Sequence, residues 1–177
     1  VNPCSRTAPC KTWAGAISKT ADGGEIDALD PGGFGGVTIT KPITLDGSGA
    51  GGMASILTTG TDGIWVMAGP NDRVILRHIG FDGVFTAAAP SLGGHKAVKV
   101  ISAKSVTLDG VNIHGFAVAG ISVEPTSGHP NVVIENSTLQ DVADSSYTDL
   151  AGALVGRGVI SVESGAPGIT ADVLVEN

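Results

Sequence analysis

Two side chains that could share a proton occupy the same place in two copies of one ten-residue pattern. Asp82 lies eight residues after Val74, and His114 lies eight residues after Val106. If the copies stack in register, the two become neighbours able to form a carboxylate–imidazole pair. Catalysis would still need a nucleophile or a metal beside them, and the third copy offers only Gln140 at that place. A second pair, Trp65 and Lys99, sits at the centre of two short strands, Ile64-Trp-Val66 and Val98-Lys-Val100. An outward indole on a flat sheet can stack on a sugar face, and beside Lys99 it can equally enter a cation–π contact. Arg77, Asp109, Glu135 and Glu176 share a third position. They read as outward charges bridging successive copies, worth about 0–1 kcal/mol each. Asn136-Ser-Thr138 has the form of a glycosylation sequon but fits the strand pattern, and is read as part of it.

The elements that must position these residues are visible as repeats. Val74-Ile-Leu-Arg-His-Ile-Gly-Phe-Asp-Gly83, Val106-Thr-Leu-Asp-Gly-Val-Asn-Ile-His-Gly115 and Val132-Val-Ile-Glu-Asn-Ser-Thr-Leu-Gln-Asp141 are apolar at offsets 0, 2 and 7. Offset 5 is apolar in the first two copies and Ser137 in the third, and a fourth copy begins at Val173. The polar residues after offset 2 break the alternation, so each decapeptide predicts two short strands flanking a corner. A second template follows: Ile64-Trp-Val66, Val98-Lys-Val100, Ile121-Ser-Val123 and Ile160-Ser-Val162. First-template copies start 32, 26 and 41 residues apart, so the strands repeat while the turns vary in length. Three strands per repeat without intervening helices predict a parallel β-helix, an all-β solenoid whose coils lie about 4.8 Å apart. Equivalent residues then form ladders, aliphatic inside, and Asn136 and Asn177 share a corner where an amide ladder could begin. A β-sandwich is the alternative, since Asp-Gly pairs at 46, 62, 82 and 109 suit hairpins. Recurrence of strands with the same flanks favours the solenoid.

The first 24 residues differ. Thr12 can cap a helix running to Thr20, with Trp13 and Ile17 on one face and Asp22-Gly23-Gly24 ending it. Residues 1–24 are read as an N-terminal cap on residues 25–177, covering the open end of the stack. Asp30-Pro-Gly-Gly-Phe-Gly-Gly36 reads as a turn-rich connection. Cys4 and Cys10, the only cysteines, lie six positions apart. A metal site would need two further ligands, and none is near in sequence, so a local disulfide and an oxidising, secreted location are expected.

Composition narrows the function classes. The chain has 177 residues, enough for one domain with a continuous core. Hydrophobic residues make up 42% but aromatics only 4%, so the core must be aliphatic and narrow. The 27 glycines are about twice the usual share and imply many turns. Net charge is −7, with the ten Lys and Arg scattered, which argues against nucleic acid and anionic membranes as partners. No apolar run is long enough to insert in a membrane. The chain opens at Val1 without an initiator Met or an apolar signal region, which suggests a removed leader or a fragment.

With these repeats the chain resembles the right-handed parallel β-helix (pectate-lyase-like) superfamily. More narrowly it resembles secreted bacterial β-helix repeat proteins of undefined function. The stretches that carry this are Asn2 to Thr12, Ala16 to Thr20, Gly23 to Ile26 and Leu29 to Gly35, within the first 45 residues or so. The resemblance implies a right-handed coil, also the default for parallel crossovers, and brings no established activity. Because the superfamily includes pectate lyases, polygalacturonases and phage depolymerases, polysaccharide cleavage has to be weighed. Gly60-Thr-Asp-Gly63 and Gly94-His-Lys96 only faintly echo the polygalacturonase motifs, and neither Asp-Asp nor Arg-Ile-Lys occurs.

The expectation is a secreted, non-catalytic structural, adhesive or surface-associated solenoid without cofactor or metal. Val173-Leu-Val-Glu-Asn177 starts a coil and has no visible cap. Its open end is expected to belong to a longer native protein, or else to serve end-to-end self-association. The rivals are a carbohydrate-active lyase or glycosidase and a glycan-binding module in which Trp65, Lys99, Asp82 and His114 meet a polysaccharide. A groove lined by two or three carboxylates within about 10 Å would favour the enzyme.

Overall fold

The computed structural model describes residues 3–85, 93–142, 158–163 and 165–176. Near the N-terminus the Cys4–Cys10 disulfide closes a small loop, its Cα atoms 4.7 Å apart. Helix α1 (Trp13–Ile17) follows, with the Thr12 side chain accepting a hydrogen bond from the Gly15 N–H at 3.0 Å. It is shorter than the expected run to Thr20. The Ser18 and Thr20 hydroxyls donate back to the Gly15 and Ala16 carbonyls, satisfying the last turn where it stops. Trp13 is buried and packs against Phe34 with ring centroids 5.4 Å apart, while α1 rests on the first coil.

The strands wind in threes. The first coil has β1 (Gly24–Asp27), β2 (Gly32–Gly33) and β3 (Val37–Ile39); the second has β4 (Ile43–Asp46), β5 (Ala54–Leu57) and β6 (Ile64–Met67). The third contains β7 (Arg73–Arg77), β8 (Ile79–Asp82) and β9 (Lys96–Ser102), and the fourth β10 (Ser105–Asp109), β11 (Asn112–His114) and β12 (Ala119–Val123). The fifth has β13 (Asn131–Glu135), β14 (Thr138–Gln140) and β15 (Gly158–Val162), and β16 (Asp172–Glu176) begins a sixth. Strands pair in parallel into three sheets, β1-β4-β7-β10-β13-β16, β2-β5-β8-β11-β14 and β3-β6-β9-β12-β15. This is a parallel β-helix. The connection around Pro31 supplies a strand of its own, because Gly32 and Gly33 pair with Ala54 and Ser55.

Register follows the repeat. Val74, Val106, Val132 and Val173 pair in succession from coil to coil, as do Ile64, Val98, Ile121 and Ile160. Every residue of the Leu45, Leu76, Leu108 and Ile134 ladder is buried, and each such side chain contributes about 1.5–3 kcal/mol. Corners fall where the alternation breaks: His78, Gly110 and Asn136 follow successive first-sheet strands with φ of 53°, 63° and 50°. Gly reaches this left-handed region freely, and His and Asn are among the residues that tolerate it best. Where the third copy has Ser137, its hydroxyl accepts from the Val111 N–H and donates to the Glu135 carbonyl. The polar residue thus serves the corner. The last strands are less covered, Val162 being 53% and Val175 60% exposed. Among the described residues no helix is long and apolar enough to cross a membrane.

Candidate functional site

The four residues singled out for binding form two pairs on different sheets. Trp65 and Lys99 are register partners on the third sheet, and Lys99 Nζ lies 4.9 Å from the centre of the indole ring. Asp82 and His114 are register partners on the second, with Oδ1 and Nδ1 3.8 Å apart and both side chains over 40% exposed. The same Asp82 oxygen accepts the Val84 N–H at 2.8 Å. That bond holds Val84 at φ 55°, a costly conformation for a β-branched residue. Asp82 therefore has a structural task at its corner, and His114 is a long-range partner on an open surface.

Trp65 has a more developed setting. An open cleft of about 740 Å³ lies beside it, lined by Thr38, Thr58, Thr59, Thr61, Asp62 and Leu57, with Gly36 and Gly63 among its backbone. Lys99 comes from the coil after Trp65, whereas Thr38 comes from the coil before it. The cation and the cleft thus meet the indole from opposite sides. The wall made by residues 58–63 is pinned by backbone bonds. Thr58, Gly60 and Gly63 donate to Asp82, Gly93 and Lys96 carbonyls, and Thr61 accepts from the His95 N–H. A Cβ on Gly36 would come within 2.5 Å of the Gly63 carbonyl oxygen, so this part of the cleft admits no side chain. Thr58 is 4% exposed and its hydroxyl has no hydrogen-bond partner; one oxygen of Asp62 is in the same condition. Such orphaned groups are uncommon in folded proteins and call for an explanation.

Two charged clusters join neighbouring coils. On the third-sheet side, Glu124 Oε1 accepts from Lys96 Nζ and from the hydroxyl of fully buried Ser122, while Lys99 Nζ lies 3.1 Å from Oε2. Burial alone would raise the Glu124 pKa. The hydrogen bonds from Lys96, Ser122 and Lys99 outweigh it and hold the carboxyl at about 2. Lys99 is therefore committed on two sides, to Glu124 and to Trp65.

On the first sheet the expected ladder of charges takes another form. Arg77 and Asp109 are register partners, yet Arg77 turns to the earlier coils. Its guanidinium lies 3.2 Å from Asp46 Oδ2, without hydrogen-bond alignment, and 3.3 Å from Glu25 Oε2. Asp109 instead accepts from the Asn136 side chain at 2.9 Å. Asn136 thereby bonds across coils to a carboxylate, and Asn177 lies outside the described residues. Glu25, Asp27 and Asp46 each bring a carboxylate oxygen within 4.8 Å of the others, a donor set that suits a hard cation. Arg77 already supplies positive charge among them. Desolvation, with a hydrogen bond and repulsion from Asp27, raises the Glu25 pKa. Asp46 would be raised by burial but is lowered, because the Ser48 backbone and side chain, His78 and Arg77 all favour its anion.

Sequence reasoning missed this cluster, although a signal existed. Ile43-Thr-Leu-Asp-Gly47 differs from Val106-Thr-Leu-Asp-Gly110 at one residue and places Asp46 in the Arg77 and Asp109 column. The cluster meets the carboxylate-distance condition for an enzyme. Asp46, however, is 7% exposed and engaged by Ser48, Arg77 and His78. The observed disulfide fits an oxidising compartment. No protein-family model matches the chain, and no curated protein does.

Proposed function

We propose that this protein is a secreted, non-catalytic adhesive solenoid that holds a carbohydrate in the cleft beside Trp65. The carrying observation is the combination at that cleft: an indole 38% exposed, threonine side chains, and the half-buried carboxylate of Asp62. Carbohydrate sites need an apolar platform for the C–H face of the ring and convergent polar groups for its hydroxyls. The pinned backbone of residues 58–63 presents them with little ordering cost. Trp65 also provides the test, since the other tryptophan, Trp13, is 2% exposed and insulated from solvent. Titration with soluble polysaccharides should perturb tryptophan emission saturably, and Trp65→Ala should weaken binding, followed by calorimetry, by at least about tenfold. Equal binding by Trp65→Ala defeats the proposal.

A second reading draws on the first-sheet cluster. A raised Glu25 beside a lowered Asp46 is the split that acid–base pairs show in glycoside cleavage. The commitments of Asp46 to Ser48, Arg77 and His78 weigh against it as nucleophile or base. Release of reducing ends or unsaturated products, abolished by Glu25→Gln, would establish this reading over the first.

A further inference from the structure

The charge distribution around the Trp65 cleft determines what kind of sugar it admits. Among the described residues its lining contains one ionisable side chain, Asp62, and no lysine, arginine or histidine. Lys99, over the indole ring and from the coil opposite Thr38, is neutralised by Glu124 at 3.1 Å. The half-buried Asp62 side chain lines the cleft, whereas one of its oxygens and the Thr58 hydroxyl are closed off from solvent without a partner among the described residues. A carboxylate is an acceptor only, so Asp62 calls for donors. A sugar hydroxyl supplies a donor. A uronate carboxylate supplies none and adds a like charge to a protein whose net charge is already −7.

Resting on the carbohydrate-binding reading above, we infer that the cleft selects uncharged hexopyranose units, so that its ligand class is a neutral glycan and acidic glycans are rejected. The selection has an attractive and a repulsive part. The indole and threonines bind either kind of ring, whereas Asp62 rewards hydroxyl donors and penalises anions. Stacking on Trp65 therefore sets affinity, and Asp62 sets the choice between ligands.

The experiment uses the whole chain and follows tryptophan emission. Gluco-, manno- and galacto-oligosaccharides are titrated beside a galacturonate oligomer of the same length, at low salt and at about 1 M salt. At least one neutral series should bind, and the galacturonate should bind about tenfold more weakly or not at all at low salt. High salt should narrow that gap, because screening weakens repulsion. Asp62→Asn, nearly the same shape, should bring the two affinities to within about twofold. Galacturonate binding as tight as the best neutral oligomer overturns the inference while leaving carbohydrate binding at Trp65 intact. A saturable preference for the neutral oligomers that survives unchanged in Asp62→Asn overturns the assignment to Asp62. Absence of any response that depends on Trp65, with every oligomer, overturns the carbohydrate reading and the inference with it.

Discussion

The two charged clusters solve the same problem with opposite balances. Around Glu124, two lysines and a buried serine surround one carboxylate; around Arg77, Glu25 and Asp46 share one guanidinium with Asp27 crowded beside them. Both lie between coils of the same solenoid. In the first, every hydrogen bond favours the anion, and the acid stays ionised down to a pH of about 2. In the second, the inner carboxylate, Asp46, takes the favourable partners, and exposed Glu25 is left with its pKa raised. A charge between coils therefore stabilises the stack only where partners outnumber competitors. Proximity of opposite charges is not enough.

The sharpest way to break this contrast is Glu124→Gln, which leaves Lys96 and Lys99 facing each other in a half-buried setting. It should cost about 2–3 kcal/mol in urea unfolding at neutral pH. The pH dependence follows from the depressed folded pKa. The contribution of Glu124 is complete above its ordinary value of 4.5 and disappears as pH falls through about 2. The gap between wild type and Glu124→Gln should therefore close over that window, and a gap that persists at the acid end would contradict the assignment.

Arg77→Gln comes next, at about 1 kcal/mol, because Glu25 and Asp27 are open to water and buried Asp46 keeps its partners Ser48 and His78. Glu25→Gln is the smallest change and the most discriminating. With its folded pKa raised above 4.5, Glu25 contributes stability only at low pH and loses it as pH rises through the folded value. Its replacement should leave stability at neutral pH unchanged or raise it by no more than about half a kcal/mol after screening. A clear loss, comparable to that of Glu124→Gln, would show that the two clusters are equivalent after all.

How far the sequence exposed all this depended on how each residue enters the repeat. The aliphatic ladders were legible because inward positions tolerate little but Val, Ile and Leu, so Val74, Val106, Val132 and Val173 announce their register. The pairing of Trp65 with Lys99 and of Asp82 with His114 followed from the same register. Direction along the axis was not legible. Column position made Arg77 a neighbour of both Asp46 and Asp109, and only its long side chain's packing chose the earlier coils. Glu124 escaped notice because it stands one residue beyond β12, outside either template. The Trp65 cleft was half visible. The indole could be placed on its strand, but residues 58–63 belong to a turn whose shape is fixed by hydrogen bonds to Asp82 and residues 93–96, distant in sequence.

The parallel stacking of coils also has a mechanical consequence. Each strand bonds only to its equivalents in the coils on either side, so the hydrogen bonds between coils run along the solenoid axis. Tension applied along that axis loads one boundary at a time, as in unzipping, and does not shear a whole sheet at once. Under such a pull the molecule yields in a sequence of small steps. Each step lengthens the chain by one coil's contour and dissipates work, while the coils still wound keep their register. The bridges that Glu124 and Arg77 make between coils are where pauses in that sequence are expected.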